Sequence, residues 1–498
     1  MATFKINESI ENYSPNYLGI IGKIEELTDI PNADRLKMTK IAFRNVIVSS
    51  DYKVGDIVVY FPCESALSEK YLSLNNLYES GEWDRNANAF EVGAIREKAE
   101  QCKANGDKEG FDAAMAEAKS KCGFFNKYGR VCILKLRGEY SMGFVAGVES
   151  LEKMFPEETD WKWENRIGTH FNEINGEIVC TKFIPPFKEV VNEPRSGEKN
   201  SLAKKLRKYD CLVDGEFSFH FDTMHLEDYI TDFTPDTVVT ASVKVHGSLG
   251  ELSNCLIKRR PFVYNLFNKL HMPRLGMKYH LIYSSHKVIK NRMLNPGAKD
   301  FYSVDIWGAI AREFGKYIPK NMTVYGEIVG YEEGKPKFIQ KNHDYGCKPG
   351  CWKFMPYRIK VKDRKTGLFN EWNVSDVLDW TMDLYEKHPD IREKILPINI
   401  VFHGKLGNMY PNLDTERHWH SNLIDAIHND RTWLLMEEDE PMCKNKVPRE
   451  GIVFRIDNDK YPRAWKIKTA RHEELAKKQH DRGEVDIEEA GGRNVESN

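Results

Sequence analysis

Five short stretches in the second half of the chain carry residue types that can do phosphate chemistry. The first, SVKVHGSLGEL, ends a β-branched run on Lys244 and follows it with His246, Gly247 and Ser248. A lysine at a strand end is held rigidly, and a glycine beside it lets the backbone close on a ligand. The second, TVYGEIVGY, places Glu327 after a Tyr-Gly pair, and the third, CWKFMPYRIK, sets Phe354 and Tyr357 beside Arg358. The fourth, REGIVFRI, puts Glu450 directly before a glycine and an apolar run. In the fifth, RAWKIKT, Lys466 and Lys468 alternate and so point to one side of a strand.

Each stretch has a plain alternative. Tyr357 reads equally as a core aromatic, Glu327 and Glu450 as solvated strand-end carboxylates, and the KIK pair as a solvent face. Together and in this order they are the set that a nucleoside triphosphate requires. Fixed cations meet the polyphosphate, carboxylate oxygens hold a divalent metal, and a flat aromatic takes the base.

The elements that must position these residues follow from the apolar pattern. Residues 1–181 read as β-rich, with short runs such as YLGIIGKIEEL, NVIVSS and DIVVYFP separated by turn residues. Strands this short and this regularly punctuated predict a small barrel or sandwich. Residues 86–122 interrupt it with an Ala-, Glu- and Lys-rich stretch of helical spacing, an insertion. Residues 182–235 read as linker and lead-in, with the basic cluster Lys204, Lys205, Arg207 and Lys208. Residues 236–470 alternate strand and helix signals as one α+β domain, and 471–498 form a polar tail, a charged helix-like segment from His472 and then a Gly- and acid-rich stretch of disordered composition.

Composition bounds the rest. With 498 residues, 41% hydrophobic and 30% charged, the chain has material for two or three domains. Lys plus Arg number 73 against 75 Asp plus Glu, so a polyanion partner must be met by a local basic surface. No apolar run nears the ~20 residues that span a bilayer, and MATFKINESIENY lacks the apolar core of a signal peptide. Cys347 and Cys351 flank KPG without a second pair at ligand spacing, which points to reduced thiols. The expectation is a soluble, intracellular, cytoplasmic protein.

The order of the five stretches resembles the covalent nucleotidyltransferase superfamily of ATP-dependent ligases and mRNA-capping enzymes. KVHGS, the SSHK region, VYGE, FMPYRI, REGIVFRI and WKIK stand where that family has its nucleotide-binding motifs. His246, where most members have Asp, is similar to the RNA ligase 2 type, and FHFDTMHL and FIQKNHDYGCKPG also resemble RNA ligase sequence. PNADRL, VGDIVVYFPCES and GRVCILKLRGEYSMGF resemble an OB domain that some RNA ligases carry ahead of the catalytic domain; PNADRL also resembles OB-type tRNA-binding modules. The fold so implied is an N-terminal β-barrel of OB type followed by an α+β nucleotidyltransferase domain of ATP-grasp-like antiparallel sheets. The resemblance covers about 1–85 and 123–470, and it fits a phage or microbial host.

The resemblance implies an ATP-dependent RNA ligase, a monomer using ATP as a covalent AMP with Mg²⁺ or Mn²⁺. Its partner would be RNA with 5′-phosphate and 3′-OH ends, a nicked duplex being one form. Lys244 would be the nucleophile, and Lys466 and Lys468 would neutralise the α-phosphate. At its ordinary pKa of ~10.4 a lysine is neutral in about one molecule in a thousand, so neighbouring positive charge must lower it. Glu327 and Glu450 would hold the metal or the ribose hydroxyls, Tyr357 would stack on adenine ahead of Phe354, and His246, Gly247 and Ser248 would line the pocket. The basic element, usually an arginine, is offered by His286, Lys287 or Arg292, and Leu249 stands where the RNA ligase 2 type has Asn. Lys204–Lys208 and Lys258–Arg260 are candidate phosphate contacts.

Rival readings are a DNA ligase or capping guanylyltransferase, and a non-catalytic OB-fold RNA-binding protein. The first two normally carry an OB domain after the core, whereas here only about 30 polar residues follow Lys468. The third would be expected to lose some of the lysines and carboxylates, and all are present.

Overall fold

A computed structural model describes residues 2–10, 13–185, 211–220, 222–259, 261–291, 294–295, 302–414, 418–430, 439–457 and 463–482, with Trp433 and Met436. The basic cluster Lys204–Lys208, Arg260, Arg292 and the tail from 483 lie outside the described residues. The chain divides into two compact units, Met1–Ile184 and Pro185–Asn498.

The first unit is built on short antiparallel sheets. Gly19–Lys23 pairs with Ile57–Phe61, which Phe144–Gly147 flanks on its other side, and His170–Phe171 completes four strands. A meander of Thr28–Asp29, Leu36–Ile41 and Arg44–Ser49 forms a further sheet. Ile21, Val59, Phe61, Tyr71, Phe171 and Val179 share one core. The expected barrel is not closed by the strand pairs of the described residues: with strands of two to six residues, pairing breaks into separate sheets before it can circle back. Residues 86–122 hold two helices packed on each other, Ala89–Ala104 and Lys108–Ser120.

The second unit has two five-stranded sheets. One runs in the order Met224–His225, Arg463–Lys468, Gly451–Ile456, Val238–Lys244, Ile400–Lys405, antiparallel except for its first pair. The other runs Met277–Ser284, Ser248–Lys258, Met322–Gly330, Trp352–Lys362, Phe369–Glu371, antiparallel throughout. The second sheet has a clear period of two. Leu252, Val324, Ile328, Phe354 and Ile359 join Ile306, Trp307, Ile310 and Phe314 of the helix Ile306–Phe314 and Val377 and Leu384 of Val374–Lys387 in a single core. That leaves Glu251, Thr323, Tyr325 and Glu327 on the opposite face.

Candidate active site

Lys244 ends one sheet and Ser248 begins the other, so the turn Val245–Gly247 is the join between them. Gly247 is required there: a Cβ would sit 2.7 Å from the Ile328 carbonyl oxygen and 3.1 Å from Glu327 Oε2. That close approach brings Glu327 up to the turn. The turn is braced by the segment 339–346. Gln340 Nε2 donates to the Gly247 carbonyl (2.9 Å), and the His246 N–H donates to the Tyr345 hydroxyl (2.7 Å). Ser248 shares a 2.6 Å hydrogen bond with the Tyr302 hydroxyl, and is fully buried.

Register aligns the cations. Lys244 lies opposite Gly451, and Gly451 opposite Lys468; one pair along, Ser242 meets Val453 and Val453 meets Lys466. Directly opposed residues share a face, so Lys244, Lys466 and Lys468 stand on one face of the first sheet. The other face carries Val243, Ile452, Phe454, Trp465 and Ile467, all buried.

Glu450, one residue before this strand, is paired with Lys244 at 2.7 Å through Oε1, and its Oε2 lies 3.5 Å from His246 Nδ1. Burial alone would push the Glu450 carboxyl up. The positive charge of Lys244 and the His246 hydrogen bond outweigh it and hold the group well below the usual range. The strand end is anchored by Arg449, whose guanidinium pairs with Glu440 at 3.0 Å, both side chains almost wholly buried. Thr469 then closes the constellation. Its N–H donates to the Glu450 carbonyl, its hydroxyl donates to that of Arg449, and the same hydroxyl caps the helix Ala470–Asp481 by accepting the His472 N–H. His472 is thereby set against Glu450 and His246. Burial drives its imidazole far below the ordinary range and that of His343 down to about 4, so both are neutral at pH 7.

Glu450 does gather with other donors, but they are His246 and His472, with one ligand atom from each of the three all within 4.8 Å; Glu327 is not in this group. The carboxylate of Glu327 stays against Gly247 on the other sheet.

A second cluster extends from Glu327 along the face of the second sheet opposite the helices. Tyr325 pairs with Arg358 and Gly326 with Pro356, so Tyr357 is the extra residue of a β-bulge. The bulge resets the alternation: Phe354 and Ile359 face the core, while Arg358 and Lys360 are brought level with Tyr325 and Thr323. Tyr357, Tyr325 and His286 surround the His220 ring, with centroids 5.9, 5.8 and 5.9 Å away. His286 also approaches Asp222 at 3.4 Å. Of the basic-element candidates, His286 therefore joins the cluster and Lys287 is exposed. Phe354 is wholly buried against Phe314. Burial, with the Arg358 charge next, holds His220 well below the ordinary imidazole range. Glu251, beneath this cluster, is pushed up to about 8 by burial. Glu371 receives Arg358 at 3.0 Å and Arg455 of the first sheet at 3.5 Å, tying the two sheets together.

Sequence reasoning missed His220, Glu251, Gln340, His343, Tyr345, Arg455 and His472. The stretches FHFDTMHL and FIQKNHDYG had drawn notice, but nothing in them marked which side chain would turn inward. For His472 the available signal was the Thr469-x-x-His spacing of a helix cap.

No family model and no curated protein matches this chain. Solved structures do. A lysine-to-alanine variant of the Naegleria gruberi RNA ligase with ATP and Mn is 16% identical, with 92% of this chain and 99% of that chain covered and a TM-score of 0.50. A glutamate-to-alanine variant with AMP and Mn gives the same figures. An apo lysine-to-alanine variant is 15% identical over 92% and 98% of the two chains, at a TM-score of 0.51. The chain has an RNA-ligase fold. Within that fold, Lys244 pairs with Glu450 at the join of the two sheets, Lys466 and Lys468 stand on the same sheet face as Lys244, and Glu327 lies against Gly247. No helix of the described residues is long and apolar enough to cross a membrane.

Proposed function

We propose that this protein is an ATP-dependent RNA ligase. The observation that carries the reading is Lys244, held at the join of two sheets on the buried Glu450 carboxylate, with Lys468 and Lys466 on the same face. The Lys244 amine would attack the α-phosphorus of ATP, forming a lysyl-AMP phosphoramidate as pyrophosphate leaves. AMP would pass to an RNA 5′-phosphate, and a 3′-OH would then displace AMP to seal the phosphodiester. Lys466 and Lys468 neutralise the α-phosphate during the first step. Glu327, pressed against Gly247, suits the ribose hydroxyls, and Tyr357 suits the adenine face. Glu450 is the better placed of the two predicted metal carboxylates, and a divalent ion there would supply charge neutralisation at the phosphates. The solved RNA ligases of this fold with ATP or AMP and Mn support this choice of nucleotide and ion. The first unit is read as an OB-type module gripping the RNA backbone, with nicked duplex as one substrate and a monomer as the working form.

The test is incubation with Mg²⁺ or Mn²⁺ and ATP labelled at the α-phosphate, followed by a denaturing gel, with GTP and Lys244→Ala alongside. A labelled band from ATP that the variant lacks, and label then chased onto 5′-phosphorylated RNA, is the expected result. Label from GTP would move the reading to capping. No label from either nucleotide, in protein shown free of bound AMP, would leave an RNA-binding module.

A further inference from the structure

The geometry points to a transition-metal site formed by His246, Glu450 and His472, fitted to a borderline dication such as Zn²⁺ or Co²⁺ rather than to Mg²⁺. One ligand atom from each residue lies within 4.8 Å of the other two. Donors around a tetrahedral ion, at ~2.0–2.2 Å from it, stand roughly 3.3 Å apart, so side-chain rotation of about an ångström completes the site. The His246–Glu450 edge, at 3.5 Å, is already near that spacing.

Two independent features mark the place as built. His472 is 4% exposed, and its Nδ1 is buried with no hydrogen-bond partner among the described residues. A buried ring nitrogen left so costs free energy unless something meets it. Thr469 holds two of the ligands together, bonding the Glu450 carbonyl from its N–H and the His472 N–H from its hydroxyl. His343 packs on the His246 ring at 4.8 Å between centroids, and its Nδ1 meets the Lys341 carbonyl at 2.9 Å, which holds that ring beside the site.

The donor set decides the ion. Two imidazoles and one carboxylate suit Zn²⁺, Co²⁺ and their neighbours, whereas Mg²⁺ demands oxygen ligands in an octahedron and gives up water reluctantly. The carboxylate has room for both duties, because Lys244 occupies Oε1 and the histidine lies on Oε2. The ion and the proposed nucleophile would therefore share one carboxylate. This goes beyond the ligase reading and does not need it: binding is measured without ATP or RNA.

The experiment uses full-length, untagged, chelator-treated protein. Co²⁺ is titrated while the visible absorption is followed, and Zn²⁺ binding is measured by calorimetry, in the presence and absence of a 100-fold excess of Mg²⁺. One Co²⁺ per chain with visible ligand-field bands, undisturbed by Mg²⁺, is expected. His472→Ala should lose the bands and weaken Zn²⁺ by about 100-fold or more. His472→Cys, which restores a soft ligand, should recover Zn²⁺ affinity, separating ligation from folding. Lys244→Ala should bind at least as tightly as the parent, having lost the competing cation. Equal affinity of the parent and His472→Ala, displacement by Mg²⁺, or no ligand-field bands in the parent would overturn the site.

Discussion

Glu251→Gln tests the electrostatics of the sheet face beside the candidate nucleotide pocket. Glu251 lies on the strand Ser248–Lys258 and is wholly buried, and its Oε2 accepts from the Ser284 hydroxyl at 3.0 Å. Burial lifts its pKa from 4.5 to about 8, against the smaller pull of Ser284, Lys360 and the His220 backbone N–H. The folded state thus binds the proton more tightly than the unfolded state does. Stability from this group is fullest below pH 4.5 and falls as pH rises toward about 8. At about 1.4 kcal/mol per unit, the carboxyl costs roughly 1 kcal/mol at pH 5, about 3 at pH 7 and about 5 at pH 9. Glutamine does not titrate. The stability difference, variant minus parent, should therefore rise by about 4 kcal/mol from pH 5 to pH 9. An amide N–H left unmet in the variant costs about 1–3 kcal/mol, but equally at every pH, so the slope carries the test. Urea unfolding followed by tryptophan fluorescence at pH 5, 7 and 9 measures it. Parallel pH curves for the two proteins would show that Glu251 is ionised at neutral pH and refute the argument.

Two further perturbations separate packing from ligand contact. Phe354→Ala, in the core, should cost about 3–5 kcal/mol of stability, whereas Tyr357→Ala on the half-buried bulge should leave thermal unfolding nearly unchanged and raise the KM for ATP by about 10- to 100-fold through lost stacking; the reverse pattern would exchange their roles. Arg449→Ala strands the buried Glu440 carboxylate and should destabilise by about 3–5 kcal/mol. The double variant Arg449→Met, Glu440→Leu should recover most of that in a denaturant melt, and a double variant no better than the single would place the cost elsewhere.

The local pieces of the site were legible in the sequence because they are set by nearest neighbours. The β-branched run ending on Lys244 is a strand, Lys466 and Lys468 share a face because side chains alternate, and Gly247 stands where a backbone passes too close for a Cβ. The presence of antiparallel sheets and packed helices follows from the same short-range patterns. Which residues meet does not. Alternation counted from Phe354 would put Arg358 on the core side with it, and only the bulge at Tyr357, forced where the strand pairs with Tyr325 and Gly326, turns Arg358 toward His220. The choice of His286 over Lys287 rests on a segment more than sixty residues earlier folding back to supply His220 and Asp222. Glu450 and His246 are 204 residues apart, and His472 reaches both because Thr469 turns the strand end into a helix beneath them. Residue type and periodicity determined the parts and the face each strand would show. The pairing register between strands remote in the chain, which depends on burying two sheet faces at once, decided that Glu450 would keep company with histidines and a lysine rather than with Glu327.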